Sequence, residues 1–109
     1  METKGIKVSK VFDYKRLIDY KSGKVVERMI AFAGGGGVEL KAADAGTAIA
    51  EHSVPMQAVL YVLDGEAEVT IEGRVYNPHE GQLLVVPANA RHSLRANRRF
   101  TVMLSVIKA

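Results

Sequence analysis

Three histidines carry most of the chemistry available to this chain: His52, His79 and His92. An imidazole can ligate a first-row metal ion, act as a general base, or donate and accept hydrogen bonds in an otherwise apolar site. There is no cysteine, which removes disulfides, thiolate metal sites and cysteine nucleophiles at once. His79 lies in the turn NPHEG and is expected to be exposed and without a role. His52 and His92 each sit on a short β-branched or apolar stretch, where a lone inward imidazole is ordinarily a core residue satisfied by a carbonyl, a water or a hydroxyl. Near His52 the possible partners are few. If His52 points inward, position 54 shares its face while Glu51 and Ser53 point out. Beyond Pro55 the chain must turn, so that parity does not carry to Gln57, which shares a face with Val59, Tyr61 and Leu63 while Ala58, Leu60 and Val62 share the other. Gln57 reaches inward only if a bulge shifts the register by one.

The elements that would position these residues are short strands. From Val38 onward, segments near 38–42, one running into His52, 57–63, 66–72, around Val75, 82–86, 91–96 and 99–107 alternate with turn signals at Asp44-Ala45-Gly46, Asp64-Gly65, Glu72-Gly73 and Asn77 to Gly81. Lys24 to Ala33 reads as a strand on its β-branched content. Residues 1–23 read as one or two short strands, an N-terminal strand arm. The tetraglycine Gly34 to Gly37 lacks the following Gly-Lys-Ser/Thr and helix that a phosphate cradle needs, so it reads as a flexible hairpin tip. Eight or more such strands without a convincing helix predict one closed or sandwiched all-β domain over residues 1–109.

Two stretches make the expectation sharper. Gly46 to Gly65, GTAIAEHSVPMQAVLYVLDG, and Gly81 to Asn97, GQLLVVPANARHSLRAN, resemble the two signature motifs of the cupin superfamily, in its small single-domain, conserved-barrel (RmlC-like) form. Gly46, His52 and Gly65 fall on the first motif; Gly81, Pro87 and His92 fall on the second, with Asn89 in place of its second glycine and Asn97 one place late. The resemblance is strongest over 46–97 and implies a double-stranded β-helix (jelly-roll) barrel. It also implies that His52 and His92 converge inside the barrel, where relatives hold iron, manganese, nickel or zinc. The second histidine position of the first motif is Val54, however, and its carboxylate position is Ala58. Two imidazoles are short of the three protein ligands a catalytic metal site usually keeps.

The expected function is therefore binding of a small molecule in a largely apolar cavity lined by His52, Val54, Met56, Ala58 and His92, with Met29 or Met103 on the other wall. The alternative is a metal-dependent dioxygenase- or isomerase-like enzyme using His52, His92 and a substitute ligand, Gln57, or a metal-free form with an imidazole as general base. Small cupins are frequently dimeric, which implies a homodimer, and the N-terminal arm would lie along a neighbouring subunit.

Composition limits the other classes. A net charge of +3 and the arginines at 91, 95, 98 and 99 raise a nucleic-acid reading, but no aromatic stacking residue lies between them and no recognition helix is visible. They read instead as a solvated basic edge, one or two of them guiding an anionic ligand toward a cavity mouth. No apolar run approaches the ~20 residues of a membrane span, and no apolar segment follows the N-terminal lysines as in a secretory signal, so the default expectation is a cytoplasmic protein.

Overall fold

The computed structural model describes residues 6–108. Its strands are β1 (Val25–Ala33), β2 (Gly36–Ala43), β3 (Ala48–His52), β4 (Met56–Gly65), β5 (Glu68–Ile71), β6 (Arg74–Tyr76), β7 (Leu83–Val86), β8 (His92–Arg95) and β9 (Phe100–Lys108). They form two antiparallel sheets, one of order β1-β2-β9-β4-β7 and one of order β3-β8-β5-β6. This is the sandwiched all-β domain that the strand spacing predicts and the jelly roll that the resemblance implies, with the strands from β1 onward close to their expected positions.

The core between the sheets follows from strand parity. In β4, Ala58, Leu60 and Val62 are buried while Gln57, Val59 and Tyr61 alternate with them on the outer side. Leu60, Val62, Val69, Phe100 and Val102 are each sealed from solvent. Burying side chains of this size contributes roughly 1.5–3 kcal/mol each.

The strand arm is not there. Residues 6–24 hold no strand; their one regular element is α1 (Tyr14–Leu17), started by Asp13, whose carboxylate accepts from the Lys15 N–H. Residues 1–5 lie outside the described residues. Two tyrosines and two aliphatic residues explain the difference: Tyr14, Leu17, Ile18 and Tyr20 lie on the outer face of the larger sheet, against Leu40, Ala42, Leu63 and Met103 of the same chain. A one-turn helix and an extended tail place these four large side chains on one surface, which a strand with its alternating faces would not.

Tyr20 anchors that cover. Its hydroxyl donates to Asp64 Oδ2 at 2.6 Å and accepts from Thr101 Oγ1 at 2.9 Å, and the Arg99 guanidinium lies 4.8 Å from the ring centre. Burial first, then the bond to Asp64, pushes the phenol up from 10.0 to about 12. An acid whose folded pKa is raised favours folding in its protonated form. Its contribution is therefore complete below pH 10 and is lost as pH rises towards 12. Solvent screening at this half-exposed site reduces the contribution to about 1 kcal/mol. Urea melts of the parent and Tyr20→Phe should differ by that amount at pH 8 and converge as pH approaches 12; a gap that stays constant across this range would refute the assignment.

The tetraglycine makes a tight turn at Gly34-Gly35, and the tip is shorter than four residues because Gly36 and Gly37 already belong to β2. At Gly36 the neighbouring β9 passes so close that a Cβ would fall 1.8 Å from the Val106 carbonyl oxygen. Close approach of two backbones, rather than flexibility, explains the third glycine.

Candidate functional site

His52 ends β3 and His92 begins β8, and the two are direct cross-strand partners. A register irregularity between Ile49 and His52 precedes the pair. The ring centres are 4.3 Å apart, tilted by 58°. Each ring is held by its own strand: Nδ1 of His52 lies 2.9 Å from the Ala50 carbonyl oxygen, and Nδ1 of His92 lies 3.0 Å from that of Ala90. A carbonyl oxygen only accepts, so Nδ1 carries the proton and, in the neutral ring, Nε2 carries the lone pair. His92 is 8 % exposed, yet no buried side-chain nitrogen or oxygen among the described residues lacks a partner. Nε2 of His92, bonded to no protein group, therefore borders open space. His52 is exposed and stands at the rim.

That space is a cavity of ≈ 170 Å³ between the sheets. Val54, Met56 and Ala58 line it together with both histidines, so these five expected residues do converge. Ile49, Leu60, Val86, Leu94, Leu104 and Val106 complete its apolar wall. Pro87 and Asn89 support the rim: the Asn89 N–H donates to the Val54 carbonyl at 2.8 Å, from a backbone at φ +66°. Asparagine tolerates that left-handed conformation better than other side chains, which accounts for its occupying the place of a motif glycine.

Other expected residues lie elsewhere. Gln57 is exposed and does not line the cavity, because β4 pairs with β9 in unbroken register from Met56 to Val62 and the bulge that would turn Gln57 inward is absent. It is not a substitute ligand. Met103 packs outside, under the N-terminal cover, and Met29 lines a shallow recess beside the glycine turn. His79 is exposed, in an isolated bridge with Glu66. No arginine lines the cavity; Arg99 is bonded to Asp44 at 2.9 Å.

The charged residues at the cavity are Lys41 and Glu39 of β2, which the sequence reading missed. Lys41 Nζ bonds Glu27 Oε2 and lies 3.3 Å from Glu39 Oε1. The lysine side chain is 13 % exposed, against 58 % for Glu27, so the ion pair leads from the cavity to the surface. The signal was present in VELKA, where Glu39 and Lys41 share one parity. Alternation ordinarily sends the polar parity to solvent, but here Leu40 and Ala42 are buried beneath the N-terminal cover and the polar parity faces the barrel.

Comparison with known proteins agrees with this architecture. The model of the Cupin domain family matches residues 40–107. The chain belongs to the cupin family. Over its whole length this cupin superposes on a conserved protein of unknown function from Streptococcus pyogenes, at 30 % identity, 96 % coverage of that chain and a TM-score of 0.91. A cupin superfamily protein from Desulfitobacterium hafniense is 18 % identical, with both chains fully covered and a TM-score of 0.88. A predicted oxalate decarboxylase from Thermotoga maritima shares the fold at 14 % identity, covering 80 % of this chain and 83 % of that one, with a TM-score of 0.74. Among curated proteins no relative matches.

The family implies a metal, and the donor set of this cupin does not fit one. Val54 and Ala58 line the cavity at the two positions where ligands are missing. Among the described residues no group of three His, Cys, Asp or Glu is placed to hold an ion.

Proposed function

We propose that this cupin binds a compact, largely apolar small molecule in the barrel cavity, without a resident metal ion. The observation that carries the reading is the cavity itself: open space remains where Val54 and Ala58 have replaced ligand groups, and two imidazoles are its fixed polar features on that sheet. A volume of ≈ 170 Å³ is close to the ~150 Å³ that holds benzene in an engineered protein cavity, and well below the roughly 300–1,000 Å³ of drug-sized sites. The ligand is therefore about the size of a single six-membered ring with one or two substituents.

Toluene is a suitable first probe. Titrated against methyl-labelled protein, it should shift the NMR signals of Ala58, Leu60, Leu104 and Val106 and leave methyls of the outer face unmoved. Ala58→Leu, which fills part of the cavity from a buried position, should weaken toluene about tenfold, some 1.4 kcal/mol. Unmoved cavity methyls, or equal affinity in the filled variant, would remove the proposal.

We also propose that the chain acts as a homodimer, located in the cytoplasm by default. Support for the dimer comes from the outer face at edge strand β7, where Leu83 is paired with Tyr61 and Val85 with Val59. Leu83 and Val85 are 64 % and 48 % exposed, an apolar edge of the kind that pairing between copies would cover. Sedimentation velocity reads this directly. No described helix is long and apolar enough to cross a membrane.

A further inference from the structure

We propose that the ligand of this cavity is a neutral molecule that donates a hydrogen bond to the imidazole pair and accepts one from Lys41, as a small phenol, enol or hydroxycarbonyl compound does. The inference rests on the small-molecule reading above and adds the chemical class.

Its first support is the fixed polarity of the histidines. Both Nδ1–H groups are spent on the carbonyls of Ala50 and Ala90, so the pair presents two Nε2 acceptors and no donor. The ring centres are 4.3 Å apart, close enough for one hydroxyl to choose between them. A molecule without an O–H or N–H leaves the lone pair of the buried His92 without a partner in an apolar wall, and that loss is what makes such sites selective.

The second support is the charge balance on the facing sheet. Lys41 offers three donors, of which one goes to Glu27 while Glu39 lies 3.3 Å away as an ion-pair partner. An N–H not taken by Glu27 suits a carbonyl or hydroxyl oxygen. A carboxylate would meet one ammonium and two carboxylates, a triad of net charge −1, and gains nothing from it. Imidazoles on one sheet and the lysine on the other thus define a ligand with a donor at one end and an uncharged acceptor at the other.

Four probes of similar size separate the possibilities, read on the cavity methyls and by calorimetry with the whole chain. Phenol should bind about tenfold more tightly than toluene, and benzoate should bind more weakly than phenol. 4-Hydroxybenzaldehyde, with an acceptor opposite its hydroxyl, should exceed phenol several-fold. In Lys41→Met that last gain should vanish while the phenol-to-toluene ratio stays. In His52→Phe, at the exposed rim, the phenol-to-toluene ratio should fall. Retained toluene binding in either variant shows that its cavity is folded. Equal affinity for phenol and toluene in the parent, or benzoate binding tightest, overturns the assignment while leaving the cavity reading intact. Silence from all four probes removes both.

Discussion

Gly65→Ala is expected to lower stability by about 3 kcal/mol or more. Gly65 closes β4 at φ +75°, where a side chain costs roughly 1–2 kcal/mol on conformational grounds alone. A Cβ there would stand 2.0 Å from the Arg99 carbonyl oxygen and 3.0 Å from its carbon. Those atoms are backbone, one residue before the sealed Phe100 that pairs with Gly65 in the β4–β9 ladder, and cannot swing aside. Gly46 supplies the control. Its φ is +86°, but a Cβ there meets nothing within 4 Å, so Gly46→Ala should show the conformational cost alone. Urea unfolding of both variants measures the difference. Equal losses would mean that β4 and β9 can separate at Gly65 without penalty, contrary to the contact described.

The second large effect is a gain. Val54→His combined with Ala58→Glu should convert a cavity without a metal site into one that retains about one equivalent of manganese, iron or zinc, because four donors then converge on one space. Both replaced residues already line the cavity with His52 and His92. The volume of ≈ 170 Å³ offers room for the longer side chains. Metal content by elemental analysis, together with a rise in melting temperature on adding metal, reads the outcome. A folded double variant that takes up no metal would show that positions 54 and 58 do not aim at the imidazoles, and the residue-by-residue mapping onto the family motifs would fail.

The strands and the histidine pair were legible in the sequence because both depend on local signals. Turn residues such as Asp64-Gly65 and Glu72-Gly73 punctuate the strands, and the positions of His52 and His92 within the two motifs imply their meeting across β3 and β8. What could not be read depended on which surface covers which. Residues 1–23 read as short strands until the outer face of the larger sheet is known to need the cover that Tyr14, Leu17, Ile18 and Tyr20 supply. Once that cover is in place, Leu40 and Ala42 are buried outward, and the polar parity of β2 brings Lys41 and Glu39 to the cavity. Gln57 illustrates the reverse case. Its inward reach required a bulge, and nothing in MQAVLYV demands one; the unbroken ladder with β9 leaves it exposed.

The most direct test is elemental analysis of parent protein prepared without chelator and without an affinity metal, after supplementation with iron, manganese, nickel and zinc, beside His52→Ala and His92→Ala. Two imidazoles, with valine and alanine in the remaining ligand positions, predict a small fraction of one equivalent in all three proteins. About one equivalent in the parent, lost in both histidine variants, would contradict that and make this cupin a metal-dependent protein after all.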